Sequence, residues 1–190
     1  MSAKLILLQQ GLERVDAFCK LNHILPPKHN VMENKSPVNA CAYWRDGTTT
    51  IYPASCASAA SEGQVRNYNW PGYTVDRTPY GVVCHELGHH VDFHCGKPNG
   101  RYSSDYSIKM ARTTGEKPLT SYAPNEAEWF AEMFRLFVTN PLLLKAVRPK
   151  TFAALKSDGH RWFRKPWRSV LIDAPPKIIR AAENKIGRDK

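Results

Sequence analysis

Residues 81–94, GVVCHELGHHVDFH, carry the most specific pattern in this chain of 190 residues. Within them the pentapeptide HELGH, residues 85–89, sets two histidines four residues apart, with a glutamate directly after the first. On a helix that turns about 100° per residue, these three side chains project from the same side. Zinc hydrolases use this arrangement, and they need a third protein ligand from elsewhere in the chain.

The motif is predicted to lie on a helix that begins at Thr78-Pro79 and ends near Gly96. Threonine is a good N-cap, proline suits the first helical position, and glycine favours a helix C-terminus. Gly88 weakens the helix but lets another element approach it closely. The side opposite the histidines is predicted to pack in the core through Cys84, Leu87 and Val91.

The third ligand is predicted on the next long helix, EAEWFAEMFRLFVT, residues 126–139. Asn125 is expected to cap this helix and Asn140-Pro141 to stop it. Glu128 and Glu132 stand four residues apart on one face of an otherwise largely apolar helix, which is typical of a buried helix. Buried carboxylates are costly unless they are paired or bind a metal.

We therefore expect His85, His89 and Glu128 to form a His₂Glu zinc set with an open fourth position for water. Glu132 is expected to accept a hydrogen bond from the other ring nitrogen of His85. The alternative, that the acidic residues merely complement the helix N-terminus, suffices for Glu126 but not for two stacked carboxylates among aromatic residues.

The remaining histidines do not extend the motif. The metzincin pattern requires a third histidine six residues after the second, where this chain has Cys95, and His94 misses that position by one. His90 and His94 point away from the predicted ligands, and His23 and His29 lie in a proline-rich stretch read as a loop. We therefore expect all four to be incidental to a metal site.

Elsewhere the pattern predicts a single α+β domain over residues 1–190, with a helix and sheet part at 1–77 and a helical part at 78–190. Apolar residues at three-to-four spacing predict an amphipathic helix over residues 3–20. Asp46-Gly47 between two β-prone runs predicts a hairpin. The other expectations are hairpin strands within 38–45 and 48–52, loops over 54–77, a connection over 97–121, and shorter helices near 141–147, 150–158 and 176–186.

Three stretches together resemble one protein family: HELGHHVD, TSYAPNEAEWFAEMFRLF and PKTF, at residues 85–92, 120–137 and 149–152. They are similar to the catalytic domain of anthrax lethal factor and the related Pro-Pro endopeptidases, which are gluzincin-type zinc metallopeptidases. The resemblance covers roughly residues 80–155. It implies a zincin-like fold, with a small mixed sheet, an active-site helix and a C-terminal helical part, and it implies Zn²⁺ as cofactor.

The resemblance also implies roles for individual residues. Glu128 matches the family's third zinc ligand, and Glu86 matches its general base. Tyr122 matches a tyrosine that donates a hydrogen bond to the developing oxyanion. The spacing from Tyr122 to Asn125, with Pro124 between them, is one residue shorter here than in the family.

The predicted function is hydrolysis of peptide bonds by zinc-activated water. Zinc lowers the pKa of a bound water to about 7, Glu86 transfers the proton to the leaving amine, and zinc with Tyr122 stabilises the oxyanion. A peptide substrate is expected to lie extended along an edge strand of the predicted hairpin. One alternative is a catalytically silent zincin-fold interaction protein, which would be marked by loss of Glu86. Another is a nucleic-acid-associated protease, although such enzymes generally resemble a three-histidine pattern.

Amino-acid composition limits the classes of protein to which this chain can belong. Hydrophobic residues make up 42% and charged residues 23%, which is ordinary for a globular domain. No apolar run approaches the roughly 20 residues of a membrane span, and residues 1–11 contain no secretory signal. Five cysteines at irregular spacing predict reduced thiols. We expect a cytoplasmic monomer, while non-classical secretion or packaging in a virus particle stays open.

The net charge of +10 favours contact with an acidic partner or nucleic acid. HRWFRKPWR, residues 160–168, interleaves cations with aromatic rings, as nucleic-acid surfaces do. The simpler interpretation, which we favour, is that the rings enter the core and the cations are solvated. The partner expected from the motifs is a protein or peptide substrate.

Overall fold

The computed structural model describes residues 2–38, 40–57, 77–95, 105–118, 123 and 125–162. This part of the chain contains six helices and a small three-stranded sheet, so the predicted α+β class is confirmed. The strands are β1 Lys28–Val31, β2 Ala42–Arg45 and β3 Thr48–Ile51, and a 3₁₀-helix follows at Pro53–Ser55. The helices are α1 Ala3–Asn22, α2 Pro79–Cys95, α3 Asp105–Thr114, α4 Glu126–Thr139, α5 Pro141–Val147 and α6 Pro149–Trp162.

The sheet is mixed, as predicted, with the order β1-β3-β2. β2 and β3 form the predicted antiparallel hairpin. Asp46 and Gly47 turn between them with φ of 50° and 82°, the positive values that a two-residue hairpin turn of matching twist requires. β3 is the central strand, because β1 pairs with its other side in parallel.

The prediction of a loop around His29 was wrong, because residues 28–31 form β1. The strand is mostly exposed, so its side chains show no alternating apolar pattern that sequence reasoning could detect. Backbone pairing with β3 defines it instead. Lys28 N–H donates to the Gly47 carbonyl at 2.9 Å, and Met32 N–H donates to that of Ile51 at 2.8 Å.

The core is centred on α2 and α4, with α1 packed against them. As predicted, Cys84, Leu87 and Val91 are fully buried on α2. Gly88 fits the predicted close approach: a Cβ added there would lie 2.6 Å from the Ala131 Cα of α4. The two helices therefore cross almost backbone to backbone at Gly88, between the two motif histidines.

The prediction of a long connection over residues 97–121 was wrong in its middle, because α3 lies there. Tyr106 and Met110, four residues apart, are buried, and the Tyr106 ring centroid lies 5.3 Å from that of Phe130 on α4. α5 and α6 occupy the predicted positions, although α6 continues to Trp162. The predicted helix near 176–186 lies outside the described residues, and so do residues 58–76 of the predicted loops.

Two expectations from composition concern the described part of the chain. None of its helices combines the length and the apolar character needed to cross a membrane. The four cysteines whose side chains are described form no disulfide, in line with the expected reduced thiols. They are Cys19, Cys41, Cys56 and Cys84.

Candidate metal centre

The two motif histidines lie side by side on α2, with their ring centroids 4.9 Å apart. Glu128 projects toward them from the first turn of α4. The Asn125 side chain fixes that turn as predicted, because its Oδ1 accepts a hydrogen bond from the Glu128 N–H at 2.9 Å. The helix crossing at Gly88 thus brings the start of α4 against the His85–His89 face.

The ligand atoms of these residues are close enough to surround one ion. His85 Nε2 lies 3.1 Å from Glu128 Oε2, and His89 Nε2 lies 3.5 Å from Glu128 Oε1. One ligand atom from each of the three residues lies within 4.8 Å of the other two. Ligands about 2.0–2.1 Å from a tetrahedral zinc ion are themselves separated by about 3.3 Å. The three residues could therefore hold one metal ion, and two of the three separations are close to those of a zinc site.

The other ring nitrogen of His85, Nδ1, makes a hydrogen bond on the side of the ring away from Glu128. Its Nδ1–H donates to Glu132 Oε1 at 2.7 Å, the contact expected from the sequence. Arg135 then donates to both oxygens of that carboxylate, from Nε at 3.1 Å and from Nη2 at 2.9 Å. A donor role for Nδ1 leaves the Nε2 lone pair available to a metal. Glu132 thus orients His85, and Arg135 orients Glu132.

Sequence reasoning missed Arg135. The signal was present, because a cation three residues after a buried glutamate can pair with it on a helix. Arg135 and Glu132 are 4% and 1% exposed, and a buried pair of this kind requires well-formed hydrogen bonds.

The charges of the site are strongly coupled. Burial by itself would lower the pKa of His85, but the hydrogen bonds with Glu128 and Glu132 outweigh it and raise that pKa to about 10. Burial would raise the pKa of Glu132, but the charge of Arg135 and the bond from His85 lower it to about 2. The pKa of Glu128 is held well below its usual range by His85 and His89, against the opposing effect of burial. Without metal, His85 is therefore a cation between two carboxylates.

Glu86 is 6% exposed and has a different environment. Burial raises its pKa, while the charges of His85 and His89 and a backbone hydrogen bond from Trp44 moderate the rise. Its Oε2 is buried and has no hydrogen-bond partner among the described residues. A buried carboxylate oxygen without a partner, next to three groups that could hold a metal ion, is a candidate for binding a water or ion.

His90 is separate from the predicted ligands, as expected, but its ring makes two hydrogen bonds. Its Nε2–H donates to the Leu25 carbonyl at 2.9 Å, and its Nδ1 accepts from Trp44 Nε1 at 3.2 Å. Both ring nitrogens are thus used to tie α2 to β2 and to the segment before β1. Tyr122, the predicted oxyanion donor, lies outside the described residues.

In comparisons with known proteins, no protein-family model, curated protein or solved structure matches the chain. The similarity to the lethal factor family therefore depends on the quoted motifs.

Proposed function

We propose that the protein is a zinc-dependent endopeptidase with a zincin-like fold of the gluzincin type. The proposal depends above all on one observation: His85, His89 and Glu128 converge at metal-ligand spacing, with the buried carboxylate of Glu86 beside them. The substrate is proposed to be a protein or peptide, and the acting form a cytoplasmic monomer.

The donor set favours zinc in a catalytic role. Two imidazoles and one carboxylate are ligands that zinc accepts, and catalytic zinc sites typically have three protein ligands while structural sites have four. Among the described residues, the cluster contains three such groups. The hydrogen-bonded chain from His85 through Glu132 to Arg135 is the outer support that zinc-binding histidines require.

The protein's own groups then supply the proton transfers. A bound zinc ion would bring the pKa of a coordinated water to about 7. Glu86 accepts the proton of the attacking water and delivers it to the leaving amine. The raised pKa of Glu86 suits this double duty, because an acid–base group works best with a pKa nearer the working pH. Tyr122 is proposed to donate to the oxyanion.

The sheet offers a place for an extended substrate. Because β3 is central, the candidate edge in the hairpin is β2, and no described strand pairs with its other side. The middle of β2 lies beside α2 near the proposed base, because Trp44 Nε1 donates to His90 Nδ1 at 3.2 Å and the Trp44 backbone lowers the pKa of Glu86. A peptide added along β2 would therefore pass the metal centre, with backbone hydrogen bonds giving affinity.

Two other functions compete with this proposal. A catalytically silent zincin-fold interaction protein would have no need of a buried, partnerless carboxylate oxygen at Glu86. A nucleic-acid-associated protease is favoured by the net charge of +10. Most of residues 160–168, the basic and aromatic stretch, lies outside the described residues.

The test combines metal analysis with a peptide-library cleavage assay. We expect one zinc per chain and cleavage in the wild type, zinc without cleavage in Glu86→Gln, and loss of stoichiometric zinc in His89→Ala. His94→Ala is the matched control, because this exposed histidine lies on the same helix outside the triad and should keep both zinc and activity. Full zinc in His89→Ala, or wild-type cleavage by Glu86→Gln, would refute the assignment.

A further inference from the structure

A pair of cysteines lies at the end of the sheet, apart from the proposed metal ligands. Cys41 directly precedes β2, and Cys56 directly follows the 3₁₀-helix that comes after β3. The strand pairing continues one step beyond the hairpin ladder, because Tyr52 N–H donates to the Cys41 carbonyl at 2.9 Å. The 3₁₀ turn then brings the chain back toward Cys41, with Cys56 N–H donating to the Pro53 carbonyl at 3.2 Å.

The two side chains meet there. Cys41 Sγ lies 3.4 Å from the carbonyl oxygen of Ser55, the residue before Cys56. Cys56 Sγ lies 3.8 Å from the Cys41 carbonyl oxygen and 3.4 Å from that of Tyr52. Cys56 is 3% exposed, whereas Cys41 is partly exposed. The pair thus consists of one sulfur that solvent species can reach and one that is shielded behind it.

Cations surround the accessible sulfur. Arg77 Nη2 lies 3.9 Å from Cys41 Sγ. Lys4, anchored by its Nζ on the Ala54 carbonyl at 3.3 Å, adds a second positive charge nearby. A thiol near cations and a second thiol loses its proton more readily, and the thiolate is the nucleophilic form.

The effect on acidity is large. The hydrogen bond from Cys56 is the strongest influence on the pKa of Cys41, which falls to about 6 with further help from Arg77 and Lys4 and against the opposing effect of burial. Cys19 provides the contrast within the same chain, because burial and the charge of Asp16 raise its pKa to about 12. The Cys41 thiol therefore loses its proton at a much lower pH than the Cys19 thiol does.

We propose that Cys41 and Cys56 form a reversible oxidation site, in which a hydroperoxide oxidises Cys41 and Cys56 closes a disulfide. In the first step the Cys41 thiolate attacks one peroxide oxygen, the O–O bond breaks, and the leaving alkoxide or hydroxide takes a proton from solvent. Cys41 is then a sulfenic acid, oxidised by two electrons.

In the second step the Cys56 sulfur attacks the sulfenic sulfur. The S–S bond forms, the S–O bond breaks, and the oxygen leaves as water with the Cys56 proton. A dithiol reductant reverses the change by thiol–disulfide exchange. Cys56 is the resolving group because its sulfur is next to Cys41: Cys56 Sγ lies 3.8 Å from the Cys41 carbonyl oxygen, and Cys41 Sγ lies 3.4 Å from that of Ser55.

The test uses the full chain with stoichiometric hydrogen peroxide, followed by peptide mapping under non-reducing conditions. We expect a Cys41–Cys56 disulfide in the wild type that dithiothreitol removes. Cys56→Ser should instead accumulate a sulfenic acid at Cys41 that dimedone traps, and Cys41→Ser should leave Cys56 unmodified at the same dose. A wild type that forms a different disulfide, or that oxidises Cys41 no faster than Cys19, would overturn the proposal.

A second measurement needs no substitution. Alkylation of the wild type by iodoacetamide at a series of pH values should label Cys41 first, with a midpoint below the ordinary cysteine value of about 8.5. Cys19 serves as the internal control and should stay unlabelled in the native chain. An ordinary midpoint at Cys41 would contradict the proposed thiolate, whatever the outcome of the metal and protease assays.

Discussion

Gly88→Ala tests whether the close helix crossing determines the positions of the residues in the candidate metal centre. The added Cβ would lie 2.6 Å from Ala131 Cα and 3.1 Å from its carbonyl oxygen. Carbon atoms in good contact are about 3.5–4.0 Å apart, so α2 and α4 must separate by about 1 Å at this point. Glu128 stands one turn before Ala131 on α4 and would move with it.

Gly88→Ala should affect both folding and metal binding. Overpacking at a tight contact destabilises the fold by about 1–3 kcal/mol. Replacing glycine by alanine within a helix stabilises it by about 1 kcal/mol. The net loss of stability is therefore about 0–2 kcal/mol. Metal–ligand distances are expected to lie within about 0.2 Å of their usual values, so a shift of about 1 Å should also weaken zinc binding. We expect a loss of about 10–100-fold, as when residues that hold metal ligands are removed.

The assay is zinc affinity measured by competition with a chromophoric chelator, alongside thermal unfolding followed by circular dichroism. Gly115→Ala is the matched control. That glycine has φ of 61° and no atom within 4 Å of an added Cβ, so alanine would strain the backbone without pushing α4. It should lose stability but keep its zinc affinity.

A second variant separates backbone from side-chain contact. Adding Ala131→Gly to Gly88→Ala removes the Ala131 Cβ but leaves its Cα and carbonyl oxygen, which are the atoms at 2.6 Å and at one of the 3.1 Å contacts. The double variant should therefore remain defective in zinc binding. Wild-type affinity in Gly88→Ala would show that the helix spacing does not set the positions of the ligands.

The remaining predictions concern charge and chemistry at the same centre. Arg135→Met should leave the buried Glu132 carboxylate with His85 as its remaining cationic partner and cost up to about 3–5 kcal/mol in denaturant unfolding, and Glu132→Gln in the same chain should recover part of that loss. For the metal-free protein, the raised pKa of His85 means that its contribution to stability is complete below the unfolded value of about 6.5 and is lost as pH rises toward about 10. Urea unfolding should therefore show a difference between wild type and His85→Gln that shrinks from pH 6 to pH 10, and a constant difference would contradict the charged state. Tyr122→Phe should lower kcat by about 10²–10³ with little change in KM, and an unchanged kcat would remove Tyr122 from the mechanism.

The two helices of the candidate metal centre could be predicted because their signals are local. Thr78 and Asn125 mark helix starts, and their side chains accept hydrogen bonds from Gly81 N–H and Glu128 N–H. The i,i+4 spacing of histidines on α2 and glutamates on α4 then placed each group on one face. Hairpin turn chemistry at Asp46-Gly47 was equally local.

What could not be predicted depends on contacts between distant parts of the chain. β1 forms through backbone pairing with β3, about twenty residues later in the chain. Its side chains are mostly exposed, so their sequence pattern does not indicate a strand. His90 appeared incidental, yet it joins α2 to Leu25 and Trp44. The contact between Cys41 and Cys56 likewise arises from strand register and a 3₁₀ turn rather than from any spacing motif.

The buried charges at the helix crossing argue for a ligand-binding role rather than a purely structural one. Glu86, Glu132, Arg135 and His85 are each less than a tenth exposed, in the middle of an aromatic core. Buried ion pairs of this kind commonly contribute less stability than apolar residues of similar size would. A fold selected for stability alone would place leucine or phenylalanine here, as α4 does on its other faces. The arrangement is explained if His85 must present Nε2 in one fixed direction, which the bonds from Arg135 through Glu132 achieve.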